Sequence, residues 1–330
     1  IQLQYLYNSN KAEFVAIYGR RRIGKTYLVD ETFKGRITFR HTGLSPEDMN
    51  EDDKEGPLKK QLHLFYYSLL ARGMKPDHLP EDWLEAFFML EMFLQQIDDG
   101  SRQLIFLDEL PWMDTPKSGF ISAFEAFWNN WACYRNIMVI ITGSANSWIE
   151  DKVINNHGGL YGRTTHEIKL EPFTLCECEN LLKERGISFS RYDVVQSYMI
   201  LGGVPFYLNY FQRGLSLAQN INELCFKEYG YLNEEYYNLF HSLFDKPEKH
   251  LAILQALANK RDGLSRVELS NEKAIGGGSV LTKNLRELEE CGFIRKYKNF
   301  SKSEKNIIYQ LIDPFTLLSI RFLKDKKFDS

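Results

Sequence analysis

No stretch of this chain approaches the roughly 18 consecutive apolar residues of a membrane-spanning helix, and no secretory leader pattern is visible. Cysteine is scarce. Its five residues, Cys133, Cys176, Cys178, Cys225 and Cys291, are scattered and odd in number. That excludes a disulfide framework and leads us to expect a reducing, cytoplasmic setting. Cys176 and Cys178 are the one close pair, and no histidine or second pair sits at zinc-finger spacing, so a metal site built on cysteine and histidine is not supported. Internal repeats and low-complexity tracts are also missing. The chain opens on Ile1 rather than Met, in residues that read as helix, as expected of a piece of a longer protein.

What is present is an ordinary globular composition with an uneven charge. The 330 residues carry a net charge of −3, and the length suits two or three domains. From Lys246 to Ser330 there are 17 Lys+Arg against 11 Asp+Glu; the residues before them are acidic. An acidic body with a basic C-terminal third suggests two parts that meet different partners.

The strongest motif lies near the start. Gly19, four variable residues, Gly24, Lys25 and Thr26 match G-x-x-x-x-G-K-[ST]. A phosphate cradle needs backbone close to the phosphate, which Gly24 permits, a Lys25 ammonium for the β- and γ-phosphates, and a Thr26 hydroxyl for Mg²⁺. The apolar run Phe14–Tyr18 before it reads as a buried strand and the residues from Thr26 as a helix, which is the context the motif requires. The expected ATP-binding stretch is therefore Gly19, Arg20, Arg21, Arg22, Ile23, Gly24, Lys25, Thr26 and Tyr27. Of the three consecutive arginines, two are expected to form a solvated basic tip that attracts polyphosphate without specific contact.

Further along, Arg36–Thr42 reads as a second strand and Ser45–Pro57 as an acidic loop, followed by helices over Leu58–Arg72 and Glu81–Ile97. Gln103–Leu110 is an apolar run closed by Asp108 and Glu109. This pair fits an ATPase, with Asp108 holding Mg²⁺ and Glu109 polarising a water. The pair argues against a small-molecule kinase, and the missing N-K-x-D argues against a GTPase. Asn136–Trp148 is another buried strand, ending in Thr142, Ser144 and Asn146, of which Ser144 or Asn146 could position the water. Arg163 precedes a last strand, Thr165–Phe173. It is either a finger reaching a neighbouring subunit's γ-phosphate, which implies a homo-oligomer, or a loop arginine paired with an acid. Strands alternating with helices predict an α/β fold with a parallel sheet, residues 1–173. Residues 174–244 read as wholly helical, broken at Gly202-Gly203-Val204-Pro205. Residues 245–330 read as three helices and a β-hairpin, a winged helix, with a capping box at Ser265 and Glu268 and a helix end at Gly292.

With these residues assembled, the chain resembles the archaeal-type ATPase family, a branch of the STAND NTPases related to AAA+ proteins. The segments YGRRRIGKT, LDELPWM, ITGSANSW, LYGR and LGGVPFYL carry the likeness over nearly the whole chain. The resemblance implies a sheet order 5-1-4-3-2, a helical lid with the Gly202–Pro205 turn packed near the nucleotide, and a following winged helix. It implies that Lys25 and Thr26 bind phosphate and Mg²⁺, that Asp108 and Glu109 serve metal and water, that Ser144 is a sensor, and that Arg163 is the finger-like arginine. Relatives begin upstream with an F-x-G-R-E motif that helps hold adenine, and continue past segments like Tyr309–Phe315 into a nuclease-like domain. The 330 residues start after the former and stop at Ser330, before the latter.

Two functions stay open. One is a Mg²⁺-dependent ATPase working as a conformational switch, with slow or partner-dependent turnover. The alternative is a DNA-binding regulator whose nucleotide is structural. Lys283 and Arg286 lie on the third helix of the winged helix beside Glu287, Glu289 and Glu290, a poor face for phosphates. Arg295, Lys296, Lys298, Lys302 and Lys305 concentrate in its wing.

Overall fold

The computed structural model describes residues 2–45, 56–144, 146–155, 158–244, 246–298 and 307–323. Most of the acidic loop expected at Ser45–Pro57, and Lys302 and Lys305 of the expected wing, lie outside the described residues, as does the side chain of Asn146. Two units are present. The first comprises Ile1–Gly19 and Lys25–Leu170, the second Arg20–Gly24 and Glu171–Ser330.

The first unit runs α1 (Gln2–Tyr7), β1 (Glu13–Tyr18), α2 (Lys25–Thr32), β2 (Phe39–Thr42), α3 (Pro57–Ala71), α4 (Trp83–Gln96), β3 (Gln103–Asp108), α5 (Phe120–Asn130), β4 (Ile137–Gly143), α6 (Asn146–Ile149) and β5 (His166–Lys169). Its five strands form one sheet in the order β2-β3-β4-β1-β5, every pairing parallel. This is the expected 5-1-4-3-2 read from the other edge. The three central strands are buried at every position, because alternate residues of an apolar run enter cores on opposite faces. Phe14, Ala16, Ile105, Leu107, Val139 and Ile141 pack with the aromatic residues of α3, α4 and α5, among them Phe65, Trp83, Phe87 and Phe124. Val15, Ile17, Leu104, Phe106, Met138 and Ile140 pack instead with Leu3 and Leu6 of α1 and Val29 of α2. The two edge strands are shorter than the sequence suggests. Arg36–Thr42 contracts to Phe39–Thr42 and Thr165–Phe173 to His166–Lys169, because an edge strand pairs on one side only. Those partners are Ile105–Asp108 and Val15–Tyr18.

The second unit runs α7 (Leu175–Glu184), α8 (Arg191–Leu201), α9 (Pro205–Leu208), α10 (Leu217–Ile221), α11 (Glu235–Leu243), α12 (Glu248–Ala258), β6 (Leu264–Ser265), α13 (Arg266–Asn271), α14 (Gly278–Glu290), β7 (Ile294–Lys298), β8 (Ile307–Leu311) and α15 (Pro314–Leu318). Capping boxes open α7, α8, α10 and α13, the last on Ser265 and Glu268 as expected. The strands form an antiparallel sheet in the order β6-β8-β7. The two-residue β6 is too short to leave a sequence signal. One apolar core holds the unit, with Leu201, Tyr207, Phe240, Leu257, Leu285, Phe293 and Phe315 among its buried members. At the break between α8 and α9, the Phe173 N–H donates to Gly203 O at 2.7 Å. A Cβ on Gly203 would lie 1.9 Å from the Phe173 carbonyl oxygen, so only glycine allows this approach. Among the described residues, no helix is long and apolar enough to cross a membrane.

Candidate active site

Parallel pairing brings the carboxyl ends of β1, β3 and β4 to one edge of the sheet, and the polar residues that follow these strands meet there. The chain leaves β1 through Gly19 at φ 144 and enters α2 after Gly24 at φ 89, a left-handed backbone that a side chain would strain. Lys25 is buried. Its ammonium donates to the Gly19 carbonyl at 3.0 Å and to Ser144 Oγ at 2.9 Å.

One residue on, the Thr26 hydroxyl donates to the Asp108 carboxylate at 3.0 and 3.1 Å. Thr142, fully buried on β4, donates to Asp108 Oδ1 at 2.5 Å. Its oxygen also accepts the Glu109 N–H at 3.0 Å. Burial pushes the Asp108 carboxyl above the usual carboxylate range; the Thr142 and Thr26 hydrogen bonds and Arg40 pull the other way. Glu109 takes the left-handed backbone (φ 49, ψ 53), uncommon for a residue with a side chain. Its carboxylate accepts the Ser144 N–H at 2.9 Å and the Ser144 hydroxyl at 2.5 Å. Ser144 thus joins the lysine to the glutamate.

This donor set fits a phosphate chain with a hard cation. A hydroxyl and a desolvated carboxylate already within hydrogen-bond distance of each other are the oxygen ligands Mg²⁺ takes. A buried ammonium beside a helix N-terminus is what a polyphosphate requires. The fit rests on Thr26, Asp108 and Lys25, all in the first unit.

Of the residues singled out from sequence, Gly19, Lys25, Thr26, Asp108, Glu109 and Ser144 come together. Tyr27 is exposed on α2, and Arg163 is exposed on the turn before β5. Arg20 to Gly24 group with the second unit. There the expectation of a solvated tip fails. Arg20 is buried, ion-paired with Asp313, with its guanidinium over the Phe293 ring at 4.8 Å. Arg22 makes a two-pronged pair with Glu235 at 2.9 and 3.0 Å and covers Phe206 at 4.1 Å. Ile23 is buried and Arg21 half-buried. Carboxylates distant in sequence claim the charges that appeared free.

Two further participants carry no motif of their own. In sequence Thr142 reads only as a strand-end hydroxyl, yet it bridges both acidic residues. Arg40 on β2 donates to Asp30 at 2.7 Å and places a second nitrogen 3.9 Å from Asp108. The signal for Arg40 was a charged residue inside an otherwise strand-like run next to the Asp108 strand.

A sequence model described as an ATPase domain predominantly from Archaea matches residues 1–211. An uncharacterized protein of Methanocaldococcus jannaschii is 26% identical over 320 residues, 96% of this chain; the chain spans 65% of that relative's length. Among solved structures, the Walker-type ATPase of Pyrococcus abyssi aligns with a TM-score of 0.66 at 16% identity, over 97% of this chain and 93% of that one. The ORC2 protein of Aeropyrum pernix, solved as ADPNP–ADP complexes, aligns with a TM-score of 0.58 at 13% identity, over 96% of this chain and 89% of that one. At such identities these structures speak for the fold, while the match over residues 1–211 speaks for the family. The chain belongs to the family of ATPase domains found predominantly in Archaea.

Proposed function

We propose that the protein binds ATP with Mg²⁺ at this site, hydrolyses it, and works as a conformational switch of the AAA+/STAND type. The observation that carries the reading is the run of contacts from Gly19 through Lys25 and Ser144 to Glu109. Groups suited to phosphate and water hold one another here, in a buried cluster at the end of a parallel sheet.

Each group then has a task. Lys25 leaves the Gly19 carbonyl for the β- and γ-phosphates, and Thr26 and Asp108 would hold the cation. Bound Mg²⁺ would supply positive charge against the phosphates. Once Lys25 no longer engages Ser144, that hydroxyl is freer to turn toward the γ-phosphate and Glu109 to accept a proton from water. The water oxygen bonds to the γ-phosphorus, the bond from that phosphorus to the bridging oxygen breaks, and ADP leaves with phosphate. In this reading Arg163, exposed on its turn, serves a neighbouring copy in a homo-oligomer.

In the same reading, residues 1–173 are the nucleotide core, 174–244 a helical lid and 245–330 a winged helix, in a cytoplasmic protein. The charges of the last segment favour packing over DNA. Lys283 pairs with Glu287 at 3.7 Å, Arg286 with Glu290 at 3.5 Å and Lys296 with Glu289 at 2.8 Å, while Arg295 donates to Gln310 at 2.9 Å. The three side chains paired with carboxylates, Lys283, Arg286 and Lys296, release few counterions from a duplex.

The experiment is phosphate release from ATP with and without Mg²⁺. Glu109→Gln should bind ATP as the wild type does and lose about 10²–10⁴-fold in turnover. Asp108→Asn should lose the Mg²⁺ dependence of binding. Wild-type turnover in Glu109→Gln would contradict the water-activating role.

A further inference from the structure

Arg22 adopts φ 75, a left-handed backbone that strains a residue with a side chain and persists only when its surroundings impose it. Here they do. Glu235, itself buried at the start of α11, grips the guanidinium at two points. Phe206 of α9 stacks beneath it at 4.1 Å and donates its N–H to the Arg22 carbonyl at 3.4 Å. Two residues earlier, Arg20 pairs with Asp313. Asp313 is 2% exposed and its other oxygen caps α15 by accepting the Thr316 N–H at 2.8 Å. Tyr207 also lies within reach of both arginines' partners, its hydroxyl 3.4 Å from Glu235. The starts of α9, α11 and α15 therefore converge on two side chains of the phosphate-loop motif. Planar, two-pronged pairing of this kind is specific to arginine, which lysine could not reproduce.

We infer that Arg20 and Arg22, gripped by carboxylates of their own unit, fix the shape of the phosphate loop, so that nucleotide affinity depends on Glu235 and Asp313. These carboxylates stand 213 and 293 positions from their arginines in the chain. The inference rests on the nucleotide reading above and adds its regulation. The strained backbone at Arg22 sits between Gly19 and Gly24, where the direction of each N–H decides whether it can donate to a phosphate. Release the guanidinium, and the residue relaxes to negative φ and turns those donors away. Linkage makes the effect mutual: nucleotide that prefers the held loop must tighten α9, α11 and α15 in return. Anything that opens the second unit then lowers ATP affinity.

Titration calorimetry of the whole chain with Mg²⁺–ATP tests this on wild type, Lys25→Ala, Glu235→Gln, Arg22→Glu, Glu235→Arg and the double reversal Arg22→Glu/Glu235→Arg. Coupling of this kind typically changes affinity by about 5–150-fold. Glu235→Gln should weaken binding at least about fivefold on that scale, the single reversals further, and the double reversal should regain a large part of the loss. Should these variants not fold, hydrogen exchange on the wild type decides: saturating ATP should slow exchange in residues 205–211, 235–243 and 313–318. ATP affinity lost in Lys25→Ala but unchanged in a folded Glu235→Gln overturns the inference alone, as does exchange indifferent to bound ATP. A wild type that binds no ATP removes both the inference and the nucleotide reading.

Discussion

The Lys25 ammonium lies 2.9 Å from the Ser144 hydroxyl, so the lysine of the phosphate motif and the end of β4 are directly joined. The same hydroxyl donates to Glu109. A single serine thus stands between the group expected to meet phosphate and the group expected to activate water.

Ser144→Ala removes both bonds. It also removes the hydroxyl that the proposed mechanism turns toward the γ-phosphate; a hydrogen bond to a charged group contributes about 1.5–3 kcal/mol, so turnover should fall at least about tenfold. ATP affinity should change little, because Lys25 still meets the phosphates when it leaves the Gly19 carbonyl. Steady-state phosphate release beside calorimetric binding separates the two. Lost binding with unchanged turnover per bound ATP would assign Ser144 to ground-state binding instead.

Asp313→Ala leaves the Arg20 guanidinium buried without its carboxylate. Burial opposes the charge of Arg20 and the neighbouring Asp313 more than offsets it, holding the group above its ordinary value. Breaking such a pair costs about 3–5 kcal/mol, read as a lower urea midpoint for the second unit. Arg20→Met/Asp313→Leu, which removes both charges, should recover most of it. A midpoint unchanged in Asp313→Ala would mean that the pair is not held in solution.

His41 on β2 predicts a pH dependence of stability. It is 1% exposed, lies 4.9 Å from the Phe65 ring, and burial lowers its pKa from 6.5 to about 3. The unfolded chain takes up a proton near 6.5 and the folded chain only near 3, so acid favours unfolding throughout that window. The loss is about 1.4 kcal/mol for each pH unit below 6.5, by the linkage relation. Urea denaturation from pH 7 to 5 should show this slope in the wild type and a shallower one in His41→Leu. Equal slopes would show that another group carries the acid sensitivity.

The parts legible in the sequence are those written in contiguous residues. Phe14–Tyr18, Leu104–Asp108 and Ile137–Gly143 announce buried strands because both faces are apolar, and Gly19–Thr26 carries its motif in eight positions. Lys25, Asp108, Glu109 and Ser144 could be named because they follow those strands directly. The lengths of β2 and β5 could not, since they depend on how much neighbouring strand is available. Nor could the fate of Arg20 and Arg22. Their partners lie on helices of the second unit, and no local pattern marks Glu235 or Asp313 as the carboxylate that will meet a given arginine. A charge run reads as solvated until the fold supplies its counter-charges.

If Lys25 and its neighbours hold nucleotide, calorimetric titration of the whole chain with Mg²⁺–ATP reads it directly. The wild type should bind with one site per chain and Lys25→Ala should show no saturable binding under the same conditions. Equal ATP affinity in the two proteins would contradict the account, because the buried ammonium would then have no part in holding phosphate.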